Sequence, residues 1–410
     1  MIKQYYKQAL AQLRQHPLIS IIGIVGTALS IFLIMLVVMM QQVKVAPFSP
    51  ESNRNRFLHV HYMSISHKDW GNGTSNGPMS VQTAREVYKS LKTPEAVTVY
   101  CCMTVSTPVS LPGAPAIGAD VRETDDTFFH VFDFQFTDGK PYDEATFTAG
   151  RPVAVITESI SRALFGSIQS VGKEFLLSHA PYRVVGVVKD VSTLADMAYG
   201  QVWIPFTSTN LSNDTWSDNH MGMMSVTLLA HDREDFDEIR AEAKRRMNEY
   251  NSILADQGYT LIDRNRPYDQ ETQSISFAAN LEPDLKAARR ERVIIFIILL
   301  LVPAINLSSM TQSRLRQRVA EIGVRRAFGS TRIEMVGQIV MENLVITLLA
   351  GAIGLLISIL FAYWGTDILF AQPYSVTLNA PTVDSRILLQ PSTFLYASVS
   401  YTHLRAHETA

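Results

Sequence analysis

Apolar residues are bunched along this chain. Residues 17–40 and 345–364 are uncharged blocks of 24 and 20 residues, and a third, 293–310, has 18. A hydrocarbon core takes about 20 apolar residues to span, whereas a buried helix of a soluble domain seldom stays free of charge for so long. The three blocks therefore predict three transmembrane helices, and they exclude a purely cytosolic enzyme. Between the first two blocks the pattern changes period. Across 41–291, short alternating runs read as strands and amphipathic stretches read as helices. The strands fall at 56–65, 96–105, 152–156, 183–191, 225–230 and 259–263, the helices at 80–91, 159–165 and 232–255. The Gly/Ser/Asn-rich 71–80 and the polar 207–219 read as loops. This predicts a large α+β domain with a subdomain inserted at about 115–223.

Charge orients the spans. Lys3, Lys7 and Arg14 precede the first block with no acid, and 311–343 has six arginines against Glu321, Glu334 and Glu342, so each flank is net +3. Residues 41–291 hold 24 basic and 32 acidic residues, a net charge of −8. The positive-inside rule places 1–16 and 311–343 in the cytoplasm and the α+β domain outside, since long segments cross regardless of charge. The third span then leads out to a loop at 365–390. A fourth span starts at 391–399 and stops, because His403, Arg405, His407 and Glu408 follow, each costly in a bilayer. The chain is read as truncated there, with 400–410 a tail not native to it.

Candidate chemistry in the outer segment is thin. The overall charge of −2 gives no basic face for nucleic acid, and two cysteines exclude a disulfide scaffold. Gly166 to Glu174 approximates a phosphate loop, but five residues separate its glycines where four are needed, and Glu174 replaces the magnesium-binding hydroxyl. It reads as a turn after a helix. His59 and His61 share a strand face without further ligands, so no metal site is assigned. Adjacent Cys101 and Cys102 would form a strained ring, which favours intermolecular pairing or buried thiols. Gly351 and Gly354 offer a close-packing face on the third span.

The sharpest signal lies in 311–343. Ile322, Val324 and Ala327 are apolar while Arg325 and Arg326 are charged, so a short amphipathic helix here can seat apolar groups in a cleft with its arginines forked onto a partner. The same arginines would equally serve to hold the loop inside, against lipid headgroups. The run Arg318-Val-Ala-Glu-Ile-Gly-Val-Arg-Arg-Ala-Phe-Gly-Ser330 resembles the loop of the MacB/FtsX family of ABC transporter permeases, R-x-x-E-I-G-[IV]-R-[RK]-A-[LF]-G, and Glu321 to Gly329 fit it throughout. Residues 125–141 look like the family's F-x-G-K/R segment, and 153–172 with 182–190 look like its V-I-S-E and Y-x-V-V-G-V-V-K-D segments.

The resemblance implies a MacB-like periplasmic core domain joined to an FtsX-like permease domain in a bacterial inner membrane. It implies a subunit that catalyses nothing itself and holds no cofactor, with ATP and magnesium on a separate cytoplasmic ABC ATPase. Glu321, Ile322, Gly323, Val324, Arg325, Arg326, Ala327, Phe328 and Gly329 would form the helix that touches that ATPase. Other partners would be a second permease copy or paralogue, membrane lipid, and a periplasmic adaptor or envelope protein. The work would be export or mechanotransmission, with no cargo specified. The alternative is a membrane-anchored sensor of an outer ligand, although 311–343 leaves it no output domain.

Overall fold

The computed structural model describes residues 17–317 and 319–365. The first half holds α1 (Pro17–Val45), β1 (Phe57–Val60), β2 (Met63–His67), β3 (Thr74–Gly77), β4 (Ala96–Cys101), β5 (Val105–Ser110), β6 (Ile117–Thr124), β7 (Phe136–Gly139), β8 (Val153–Thr157), α2 (Glu158–Phe165) and β9 (Glu174–Leu177). There follow β10 (Ala180–Val188), β11 (Val202–Pro205), β12 (Met224–Leu229), α3 (Phe236–Leu254), β13 (Tyr259–Ile262), β14 (Tyr268–Asp269), α4 (Leu285–Gln317), α5 (Val319–Ala327) and α6 (Arg332–Trp364). The chain divides into two compact units, one built from 44–285 and one from the long helices. The beginning of the fourth apolar stretch and the polar tail lie outside the described residues.

The unit at 44–285 is α+β. Six of its strands close into a ring, in which β5, β6, β11, β8, β10 and β9 each pair with the next and β9 returns to β5 through Val109↔Leu177 and Ser110↔Leu176. Val121, Ile156, Phe175, Val184, Val202 and Ile204 are buried in its core. β8 reads Val-Ala-Val-Ile-Thr and is buried throughout, as expected for a strand covered on both faces and paired in parallel with β10. β7 packs against β10 where Gly186 allows it, since a Cβ there would come within 2.7 Å of the Phe136 ring and 2.8 Å of Lys140 O. The whole ring is inserted between β4 and β12, which pair directly through Met224↔Cys101 to Leu229↔Ala96.

Around β4 and β12 the sheet continues through β1 to β14, and β13, β2 and β3 form a second sheet. Over these lies α3, whose buried positions Phe236, Ile239, Ala243, Met247, Tyr250 and Leu254 recur at helical spacing. It is entered through a reciprocal capping box between Asp232 and Asp235. Each such apolar side chain contributes about 1.5–3 kcal/mol on burial. The segment expected to be one helix over 80–91 is a short α turn, Val81–Thr83, followed by a π-helix, Ala84–Lys89, which turns Val87 and Tyr88 into the core.

The helical unit has the opposite dressing. Among the described residues, two helical segments are long and apolar enough to cross a membrane, Ser20–Val45 and Met335–Trp364. The block 293–310 lies within α4, whose helix continues past it to Gln317. Val293, Ile294, Ile297, Ile298, Leu301 and Val302 are all exposed. α1 and α6 approach closely at Gly354, where a Cβ would lie 2.7 Å from Ala28 O and 3.0 Å from the Ile31 side chain. Phe32 meets Phe361 edge to face beside that contact, and Gly351 has Ile31 as its neighbour.

Candidate functional site

α5 is a separate short helix between α4 and α6. It closes with Phe328 N donating to Val324 O and Gly329 N to Arg326 O, both at 3.1 Å. Gly329 takes φ +96, the left-handed backbone that ends helices at little cost only for glycine. The backbone of Glu321 and Arg325 is helical, while their side chains lie outside the described residues. Ile322 is half-buried, and Gly323, Arg326 and Ala327 are exposed. Among the described residues, a Cβ on Gly323 or Gly329 would meet nothing within 4 Å, so close packing against them does not require either glycine.

The apolar groups of this segment face outward. Phe328 is 88% exposed and Val324, one helical turn before it, 57%. Ile333, Val336 and Val340 extend the exposure along the first turns of α6. The helices on either side of α5 are tied together, for Asn343 of α6 and Thr311 of α4 hydrogen-bond at 3.0 and 3.2 Å. The sequence reading includes Phe328 in the contact helix but does not single out its exposure, and it misses the Thr311–Asn343 tie, a polar pair beside apolar helix.

A second feature lies in the outer unit, where the chain leaves α1. Gln270 Nε2 donates to Lys44 O at 2.8 Å, so its Oε1 faces His59 Nε2, also at 2.8 Å. His59 therefore carries its proton on Nε2 and accepts at Nδ1 from Thr227 Oγ1, 3.1 Å away. The Tyr100 hydroxyl stands 2.9 Å from Thr227 Oγ1 and 3.2 Å from Met197 Sδ. Glu51 Oε1 accepts from Met197 N and Ala198 N at 2.9 Å, and its other oxygen pairs with Arg54 Nε at 2.6 Å. Arg54 in turn donates to Ala46 O and Leu194 O. The connection starts at Lys44, runs through the sheet to the loop between β10 and β11, and returns at Ala46.

Burial pushes the His59 imidazole down to about 4, and the Arg54 charge adds to the push. His59 is thus a neutral, fully partnered core residue. His61 is held by Ser225 Oγ at 3.2 Å. Cys101 is buried and Cys102 half-buried, both as free thiols. In the phosphate-loop look-alike, Gly166 ends α2 at φ +69. The N–H groups of Ser170 and Val171 point at Asp138 Oδ2, 3.1 and 3.3 Å away, so a carboxylate of the chain sits where an anion would have to bind.

Residues 18–246 match the family model of the MacB-like periplasmic core domain and residues 293–401 that of the FtsX-like permease C-terminal, so the chain belongs to the MacB/FtsX family of ABC transporter permeases. It is similar to the uncharacterized ABC transporter permease YknZ of Bacillus subtilis, with 22% identity over 244 residues, 58% of this chain and 55% of YknZ. It is also similar to the macrolide export ATP-binding/permease protein MacB of Burkholderia pseudomallei, with 24% identity over 274 residues, 66% of this chain and 39% of that protein. The chain thus spans about half the length of YknZ and two-fifths of MacB. Among solved structures, the periplasmic region of MacB from Actinobacillus actinomycetemcomitans matches 50% of this chain and 88% of its own, with 18% identity and a TM-score of 0.34.

Proposed function

We propose that this chain is the non-catalytic permease subunit of an ABC complex in a bacterial inner membrane, joined through α5 to an ATPase on another chain. Its N-terminus is cytoplasmic, and 17–40, 293–310 and 345–364 cross the bilayer. A second copy or paralogue completes the complex. The observation that carries this reading is the exposed Val324 and Phe328 beside Arg326, in a family of ABC permeases. Two apolar groups left bare at a helix end gain by insertion into a partner's cleft, and Arg326 beside them can pair with its carboxylates.

ATP-driven closure of the ATPase then displaces α4 and α6 together, because Asn343 and Thr311 hold them side by side. Beyond α1 the chain runs on into the α+β unit, which holds the carbonyls of Lys44 and Ala46 through Gln270 and Arg54. The work is mechanical, and its free energy comes from the partner.

Affinity capture of the full chain in mild detergent tests this. The expected result is co-purification of an ABC ATPase, weakened by about 2 to 5 kcal/mol in Phe328→Asp and Arg326→Glu, with membrane insertion unchanged. If both variants retain the ATPase as well as the unaltered chain does, α5 is not the contact.

A further inference from the structure

The outer unit carries a cleft that plays no part in the reading above. β3, the start of β13, the turn after β2 and the turn before β12 border a groove of about 610 Å³, lined by Trp70, Thr74, Ser75, Trp216, Asp218 and Tyr259 among others. Its two indoles are 39% and 38% exposed, yet both are fixed. Trp70 stands edge-on to Tyr259 with ring centroids 5.8 Å apart, and its other neighbour is His67 at 5.5 Å. Trp216 donates its Nε1–H to Ser75 Oγ at 3.0 Å. The Trp216 ring lies over Gly77, where a Cβ would come within 3.1 Å of it. Holding large apolar rings rigid while more than a third of their surface stays wet costs side-chain entropy and leaves part of the burial gain unrealised.

The turn that brings Asp218 to this groove is strained. Ser217, Asp218 and Asn219 take φ +53, +51 and +68, three successive non-glycine residues in the left-handed region. It is held at its base by reciprocal backbone bonds between Trp216 and Met221, at 3.0 and 3.1 Å, and at its tip by Asn219 Nδ2 donating to Gln82 Oε1 at 2.8 Å. Strain that the surroundings maintain in this way collects where a ligand is held.

We propose that this cleft binds a neutral saccharide, with the apolar face of a sugar ring against an indole and its hydroxyls bonded to Asp218, Ser75 and Thr74. The lining suits that chemistry in both respects: flat apolar platforms, and beside them a carboxylate and hydroxyls that accept and donate. An anion is disfavoured, since among the described residues no lysine or arginine lines the groove and residues 41–291 are net −8. An organic cation would meet Asp218 and the rings, but its attraction to aromatic faces is strong only where water is excluded. This groove is open, and the hydroxyls would have nothing to bind.

The test uses the full chain in detergent, titrated with maltotetraose and with the tetramer of N-acetylglucosamine, read by tryptophan emission and by ligand-observed saturation-transfer NMR. The expected result is a saturable response to at least one of them, about tenfold weaker in Trp216→Ala and in Asp218→Asn. Since Trp216 also packs on Gly77, the exposed Asp218 provides the variant that leaves the fold intact, checked by an unchanged melting temperature. No saturable response to either sugar, tetramethylammonium chloride binding in their place, or full affinity in Asp218→Asn and Trp216→Ala would each overturn the proposal. The ATPase takes no part in this experiment, so its failure leaves the coupling reading standing.

Discussion

The two units sort the same residue types in opposite directions. In the unit at 44–285, Trp203, Tyr100, Phe128 and Phe175 are fully buried, and the polar groups buried with them, such as Glu51, Arg54 and His59, are hydrogen-bonded. In the helical unit Ile294, Val302, Leu348 and Leu356 face outward, while Thr27, Ser30 and Ser358 are turned in. Water drives the first arrangement, because each buried ring removes apolar area from it. The second would expose that area to water at a large cost, and it is stable where the surroundings are themselves apolar and small residues let helices approach.

The largest effect that would break this contrast comes from equal truncations in the two units. Trp203→Ala is expected to cost about 3–5 kcal/mol, because its ring is fully buried. Leu356→Ala, exposed on α6, should cost under about 1 kcal/mol. Chemical denaturation followed by far-ultraviolet circular dichroism in detergent checks both, and comparable losses would mean that α6 is a core helix.

Acid should act on the outer unit through His59. Its imidazole titrates at about 4 when folded against 6.5 when unfolded, so its contribution is complete above 6.5 and is lost as pH falls from there through about 4. At about 1.4 kcal/mol per pH unit the loss approaches roughly 3 kcal/mol. Urea midpoints of the native chain and of His59→Gln, which does not titrate, should therefore converge as pH drops across that window. Parallel curves would show that His59 is not held neutral.

The smallest effect sharpens the comparison at α4 and α6. Asn343→Leu removes the tie to Thr311 and should cost about 1 kcal/mol, typical of a hydrogen bond between membrane helices. Crosslinking between cysteines placed on α4 and α6 reads the change. A yield that stays the same would leave these helices held by packing alone.

Legibility in the sequence followed the strength of periodicity. α3 was expected over 232–255 and is found at Phe236–Leu254, because six buried positions recur at helical spacing with a capping box before them. β8, β12 and β13 lie within a residue of their expected ends, each a compact apolar run. The expected strand over 56–65 is two strands: the chain bends at His61 and Tyr62, leaving β12 to join β13 in the other sheet. Local composition carries no trace of that change of partner. β3 was hidden in the Gly/Ser/Asn-rich 71–80, since it owes its extension to pairing with β2 rather than to its own side chains. β5, β6, β9 and β11 were likewise unassigned, and so the closed ring could not be foreseen.

The candidate site divides in the same way. The α5 segment was legible as a helix because its residues are local in sequence. The connection from Lys44 through His59 to Ala46 joins residues up to 226 positions apart, and Gln270, its first link, has no distinguishing context in the sequence. His59 drew notice as a candidate ligand, whereas its environment makes it a hydrogen-bonded strut.

The way the ring of strands is attached makes it a separable cassette. The chain enters it after Cys101 and leaves it before Met224, and at that crossing Cys102 N lies 2.9 Å from Met223 O. β4 and β12 are thus the two arms of an ordinary antiparallel hairpin whose turn has been replaced by an entire barrel. An insertion at this point needs no change in the register of the β4–β12 pair, which runs unbroken from Met224↔Cys101 to Leu229↔Ala96, and β6 rejoins β4 beside it through Tyr100↔Thr124. A chimera cut between Cys102 and Met223 is therefore the natural way to move the barrel as a unit, provided that the Tyr100↔Thr124 pairing is kept.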